Sequence, residues 1–257
     1  MKILTFIKHV PDSRAGLKFK ADGSGVEAAG VRFVCDPFDE FGVEFAVRTK
    51  EARTDVEVIA AVAIGPDAVV ESLRHAVAMG ADRAIHAKAD AHVSWDDIGA
   101  ARIAAGVVRE KLEGFDLLLC GKQSTDGDAE VFGPALAEML GIPHVGAVTS
   151  IEIASDGRSL TARRRIEGAE EVVRCSLPAL LTCEKGLVEP RQPALPKMMK
   201  AKKHPIEVAS ADAAPGPVRL ASIAAPSAKS ACRMIEGDPP AMARELVRLL
   251  REEAKVL

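Results

Sequence analysis

The chain has 257 residues, of which 48% are hydrophobic, and a formal net charge of -3. That is enough to bury one main domain with an appended arm, and the near-balanced charge argues against a nucleic-acid or membrane-surface protein. Tyr is absent and Trp occurs once, so a base-stacking platform is also poorly supplied.

The chain opens with MKILTFIKHVPD. This reads as a strand and a turn, too short and too soon charged for a secretory signal. Lys2–Ile7, Val56–Ala63, Arg83–Ala87 and Asp116–Cys120 have the Ile, Val and Leu content of buried strands, each closed by turn residues. Helical patterns lie between them. Ile98, Ala101, Ala105, Val108 and Leu112 share one face at helical spacing, and Val131, Ala135, Met139 and Leu140 repeat the pattern. Such alternation implies a parallel sheet covered on both faces.

Around Val145 the rhythm changes. Val148–Ile153 and Leu160–Ile166 flank Ser155-Asp156-Gly157, a hairpin signal, and Glu170–Arg174 and Ala179–Cys183 follow without helices. The later strands therefore either add antiparallel to the sheet edge or return to the sheet. From Glu184 to about Pro240 the chain is rich in Pro, Ala, Ser and Lys and lacks periodicity, which reads as a partner-facing arm or as a disordered linker. A helix after Pro239-Pro240 carries Met242, Leu246, Leu249 and Leu250 on one side. The expected division is a domain over 1–207 and a C-terminal arm with its helix over 208–257.

The five cysteines, Cys35, Cys120, Cys175, Cys183 and Cys232, are scattered without a CxxC pair. This argues for reduced thiols, no disulfide framework and no metal site. No run reaches the roughly 18 apolar residues that span a bilayer. The expectation is a cytoplasmic protein without membrane insertion.

The richest ligand candidate is Cys120-Gly121-Lys122-Gln123-Ser124-Thr125-Asp126-Gly127-Asp128-Ala129-Glu130-Val131-Phe132-Gly133-Pro134. It follows a buried strand and opens a helix, the edge of a doubly wound sheet where ligands sit. Gly121 and Gly127 permit close backbone approach, Ser124 and Thr125 offer hydroxyls, and helix-start amides bind phosphate. The competing reading is a capped helix start with Asp128 as N-cap. Ile7-Lys8-His9-Val10-Pro11-Asp12, Ala63-Ile64-Gly65-Pro66 and Cys35-Asp36-Pro37-Phe38-Asp39 should converge on the same edge, although Asp36 also reads as a simple helix cap. No hydrolase-like Ser/His/Asp arrangement stands out. The basic run Lys197–His204 follows Pro193-Ala194-Leu195-Pro196, where prolines stiffen an exposed Leu suited to a partner's pocket; the plainer reading is a solvated charge run.

At these residues the sequence resembles the electron-transfer flavoprotein β-subunit family. Leu118–Pro134 is similar to its nucleotide loop and Ala78–Arg83 to the segment upstream. Ala162-Arg163-Arg164-Arg165-Ile166-Glu167-Gly168-Ala169-Glu170-Glu171-Val172 and Leu177–Thr182 match its signature region. Glu189-Pro190-Arg191, Leu195-Pro196 and Met199-Lys200-Ala201-Lys202-Lys203 continue the match in order. The resemblance implies an α/β fold with a doubly wound, mostly parallel sheet of adenine-nucleotide-binding type, antiparallel additions and an extended C-terminal arm. It implies an electron carrier that is not itself an enzyme, paired with a larger α subunit that carries the redox-active FAD. This subunit would hold AMP, or a second FAD as in bifurcating members.

Primary flavin dehydrogenases, such as acyl-CoA dehydrogenases, would dock on about 184–203. Leu195, Pro196, Met199 and Lys200 would be the contacts, and a quinone reductase or another acceptor would take the electrons. The nucleotide contacts implied are Phe6, Lys8, Asp36, Phe38 and Ile64, with Gly121, Gln123 to Val131 and Gly133 in the loop. The loop reads Asp126-Gly127-Asp128, closer to FAD-binding members, whereas Asp36-Pro37-Phe38 resembles the AMP type, so both ligands stay open. A stand-alone adenine-nucleotide enzyme or sensor on the same fold is the competing reading.

Overall fold

A computed structural model of the chain describes residues 1–27, 29–112, 114–210, 216–227 and 232–257. After β1 (Lys2–Ile7), β2 (His9–Pro11) and β3 (Phe33–Cys35) pair as a small antiparallel ribbon. Then α1 (Pro37–Ala52), β4 (Val58–Gly65), α2 (Val70–Met79), β5 (Arg83–Lys88), α3 (Asp97–Lys111), β6 (Leu117–Gly121) and α4 (Phe132–Leu140) alternate. The rest is strand-rich: β7 (His144–Ile153), β8 (Ser159–Ile166), β9 (Ala169–Ser176), β10 (Ala179–Cys183), then α5 (Leu195–Ala201), β11 (Glu207–Ser210) and α6 (Pro239–Glu252).

Among the described residues nine strands form one sheet in the order β11-β5-β4-β1-β6-β10-β7-β8-β9. From β11 to β7 neighbouring strands run parallel, and β8 and β9 add antiparallel. Side chains alternate between two cores, as the pleat requires. Ile3, Ile7, Ile59 and Ala61 pack with Val43, Val47 and Leu73 from α1 and α2. Leu4, Phe6, Ala60 and Val62 pack with Ile103, Ala104 and Leu136 from α3 and α4. The doubly wound sheet read from the sequence is the one observed.

Both outcomes left open for the later strands occur. β8 and β9 extend the edge, while β10 returns and inserts between β6 and β7. Every residue of β10 is buried, which explains its largely apolar run, and the one hydroxyl, Thr182, accepts from the Ala147 N–H.

The fold corrects three sequence readings. Val131 does not begin the α4 stripe; it precedes the helix, and Gly133, Leu136 and Ala137 form the buried face. The region after Glu184 is not featureless, since it contains α5 and β11. β11 also joins the sheet beside β5, so residues 207–210 belong to it although the expected arm starts at 208. Parts of that arm, 211–215 and 228–231, lie outside the described residues.

The chain divides into one compact unit over Met1–Ile223 and a second over Ala224–Leu257. Within the second, Asp238 caps α6 by accepting from the Ala241 N–H at 2.8 Å. Arg248 pairs with Glu245 and Glu252 along the helix, and Met242, Leu246 and Val247 are exposed.

α4 lies unusually close to the sheet. A Cβ at Gly133 would fall 2.3 Å from Thr182 Cγ2 and 3.1 Å from Cys120 Sγ. Gly133→Ala should therefore destabilise the fold by about 1–3 kcal/mol through overpacking. Urea denaturation checks this; an unchanged midpoint would mean that α4 does not pack this tightly.

Candidate functional site

Strand order reverses at β1, with β4 and β5 on one side and β6 on the other. β1–β6 pairing runs from Ile3–Leu117 to Thr5–Leu119 and stops. Beyond that register the two strands part and open a crevice at their carboxyl ends. Asp39, in the first turn of α1, spans the gap. Its carboxylate accepts the Lys8 N–H at 2.7 Å and the Gly121 N–H at 2.6 Å. One turn earlier, Asp36 caps α1 by accepting from the Phe38 N–H at 2.8 Å. Its second oxygen accepts the Thr125 N–H at 2.7 Å and the Thr125 hydroxyl at 3.1 Å. Two carboxylates at one helix start, where the helix dipole favours negative charge, thus position three segments.

The approach of α1 to β6 needs Gly121. A Cβ there would lie 2.7 Å from Phe38 Cβ and 2.9 Å from Asp39 Oδ1. Burial pushes the Asp39 carboxyl well above the usual carboxylate range, reinforced by the neighbouring Asp36 charge and opposed by the two N–H donors. Burial also raises Asp36, against the bonds from Thr125 and Phe38. Lys8 Nζ donates to Asp126 at 2.9 Å and to Ser124 Oγ at 3.1 Å, fixing the loop from the other side. Lys122 Nζ lies 2.7 Å from Glu184 and 3.4 Å from Glu130, and the Glu184 bond raises its pKa.

Above these contacts lies a narrow cleft that opens to solvent at the carboxyl ends of β1 and β6. Phe6, Val62, Ile64, Val93 and Phe132 form its apolar wall. Phe6 and Phe132 meet edge to face with ring centres 5.4 Å apart. Lys8, Lys122, Gln123, Ser124, Asp97 and Glu130 supply the polar rim. No side chain caps the first turn of α4 beside this rim, which leaves the Phe132 and Gly133 amides as candidate anion donors, Pro134 having none. Asp128 and Glu130 have φ of 49° and 58°, left-handed backbone that non-glycine residues occupy at a cost of about 1–3 kcal/mol each.

Of the expected nucleotide residues, Phe6, Lys8, Ile64, Gly121, Gln123, Ser124, Glu130 and Val131 line the cleft. Asp36, Thr125 and Asp126 stand behind it as supports. Gly127, Asp128 and Ala129 form the exposed loop tip. Phe38 packs at right angles on Phe41, ring centres 6.1 Å apart, and Gly133 is taken up in packing. Asp128 is not the α4 N-cap, since that position is Val131, and Asp128 instead accepts from the Gln123 side chain at 2.6 Å. Asp39 ends the Cys35–Asp39 segment expected at this edge, but its bridging of two strand ends carried no sequence signal, and Asp97 escaped the sequence reading. Asp97 follows the α3 N-cap Asp96, and burial raises its pKa.

The family model for the electron transfer flavoprotein domain matches residues 25–214. The chain is 34% identical over 256 residues to the electron transfer flavoprotein subunit beta of Syntrophomonas wolfei, covering 100% of this chain and 98% of that protein. To the corresponding subunit of Bacillus subtilis it is 33% identical over 268 aligned residues, covering all of both chains. To that of Mus musculus it is 39% identical over 214 residues, covering 82% of each. The chain belongs to the electron transfer flavoprotein β-subunit family.

In this electron transfer flavoprotein β subunit, the segment matching Glu189-Pro190-Arg191 and Leu195-Pro196 crosses the back of α1. Arg191 Nε donates to Glu44 at 2.7 Å, and its two terminal nitrogens reach Glu51 at 2.7 and 2.9 Å. Beyond it, Pro196 lies in the first turn of α5, and Leu195, Met198 and Met199 are exposed, Leu195 at 69%. Lys200 is exposed beside them. Sequence periodicity missed α5 because seven residues complete too few turns to show a stripe. No helix among the described residues is long and apolar enough to cross a membrane.

Asp39 gives a signed pH prediction. Its folded-state pKa is raised, so its contribution to stability is complete below 3.8 and is lost as pH rises through the folded value. Relative to Asp39→Asn, which does not titrate, the native chain should therefore lose stability progressively above pH 3.8. Denaturation series at several pH values read this directly, and a pH-independent difference would contradict it.

Proposed function

We propose that this small subunit holds an adenine nucleotide in the cleft above Asp39 and works as half of a heterodimer. The larger α subunit would carry the redox-active FAD. The observation that carries the nucleotide reading is the junction of an apolar wall, uncapped α4 amides and two lysines at the point where strand order reverses.

The residues present suit such a ligand. Phe6, Ile64 and Phe132 offer flat apolar surface to a base, while Lys8, Lys122 and the α4 start face the phosphate end. Bound there, AMP supplies a structural adenylate, whereas a second FAD supplies a further redox centre. Lys8 must be shared between Asp126 and the phosphate, and Lys122 between Glu184 and the phosphate. The loop from Gln123 to Val131 therefore closes as a unit around the ligand. Residues 184–203 form the docking segment in this reading, with Leu195, Pro196, Met199 and Lys200 meeting primary flavin dehydrogenases of the acyl-CoA dehydrogenase type. Electrons then leave through the α-subunit FAD to a quinone reductase or another acceptor.

Co-expression with an α subunit should give a yellow complex, and a colourless mixture without association would refute the heterodimer. Leu195→Ala should raise the KM for an electron-donating acyl-CoA dehydrogenase about 5- to 30-fold, the effect of losing 1–2 kcal/mol at an interface anchor. Flavin content should be unchanged; flavin loss would make the segment structural instead.

A further inference from the structure

The docking segment is exposed from Leu195 to Lys200, yet it is fixed just before that stretch. Glu44, in the middle of α1, is only 1% exposed. It accepts the Arg191 backbone N–H at 3.2 Å, Arg191 Nε at 2.7 Å and the Arg191 terminal nitrogen at 3.1 Å. Arg48 Nε donates to the same carboxylate at 2.6 Å, and Arg48 also donates to the Glu189 carbonyl at 2.8 Å. Glu51, 57% exposed, holds the outer side of the Arg191 guanidinium. Burial alone would raise the Glu44 carboxyl, but the Arg191 and Arg48 bonds outweigh it and hold the group below its ordinary value.

Such an arrangement is more than a surface ion pair. A planar guanidinium gripped by two carboxylates fixes direction as well as distance. A lysine would supply charge without the fork. Apolar contacts hold the two ends of the segment, Leu187 against the core and the buried Ala201 where α5 packs on α2, so the Arg191 clamp is the polar tie between them.

We propose that Glu44 and Arg191 are positioning residues that set the angle at which the docking helix α5 is presented to an electron-donating partner. The inference rests on the docking reading above and deepens it. It assigns a role in partner recognition to two residues remote from Leu195 and from the nucleotide cleft. The inner carboxylate dominates, because a buried, fully bonded charge resists both solvent and salt, whereas an exposed pair contributes little.

The test uses the full chain co-expressed with its α subunit, with trypsin cleavage at Lys197, Lys200, Lys202 and Lys203 as the readout of order. Glu44→Gln should speed cleavage there about tenfold or more, and Glu51→Gln less than about threefold. Arg191→Lys should fall between them, and it decides the matter should Glu44→Gln fail to fold. Nucleotide content should stay constant. With a reduced acyl-CoA dehydrogenase as donor, KM should rise in step with cleavage while kcat at saturation holds.

Unchanged cleavage in both Glu44→Gln and Arg191→Lys would overturn the proposal, since Leu187, Ala201 and the packing of α5 on α2 would then suffice. Faster cleavage with an unchanged KM would overturn it as well, because the order of the segment would not matter to docking. A wild-type complex that the donor does not reduce would refute the docking reading itself, and the positioning role in recognition would fall with it.

Discussion

Where a parallel sheet reverses its strand order, the two strands at the reversal part, and their next backbone amides have no strand to bond. In this chain the gap falls between β1 and β6, and the buried Asp39 carboxylate takes the Lys8 and Gly121 amides. The rest of the site follows from that contact. It brings the start of α1 against β6, which only a glycine at position 121 permits. It also places Asp36 within reach of Thr125, so the loop above is anchored from below while Lys8 anchors it from the side. The loop can then carry left-handed residues at Asp128 and Glu130, because its ends are over-determined.

α1 supports both the cleft and the segment around Arg191. Its first turn holds the cleft through Asp36 and Asp39, and its middle and end hold the proposed docking segment through Glu44 and Glu51. A buried acid on a helix is destabilising unless every oxygen is bonded. Glu44 and Asp39 meet that condition in different ways. Glu44 receives side-chain cations and stays ionised at a lower pKa, while Asp39 receives neutral amides and is raised by burial. One helix therefore carries a carboxylate suited to fixing a charged arm and another suited to lining an uncharged backbone crevice.

Much of this fold was legible from residue pattern. Lys2–Ile7 and Ala179–Cys183 were placed to the residue, because strands buried on both faces read as short, mostly apolar runs between turn residues. The cleft was legible in outline, since Gly121 to Gly133 follows a strand and opens a helix. What pattern could not supply was pairing across distance. Asp39 and Gly121, or Glu44 and Arg191, are remote in sequence and carry no local signature. Asp128 looked like a helix cap because local spacing allows it, but the left-handed turn at Asp128 and Glu130 carries the chain past it. α5 and β11 were hidden by their brevity and by the surrounding prolines.

The most direct test of the central claim, that the cleft above Asp39 holds an adenine nucleotide, is chemical. The purified complex with its α subunit is denatured, and the released small molecules are separated and identified by mass. The account predicts AMP or FAD in excess of the flavin bound by the α subunit, in a fixed ratio to this chain. A flavin-loaded, electron-accepting complex that releases no adenine nucleotide beyond the α-subunit FAD would contradict it.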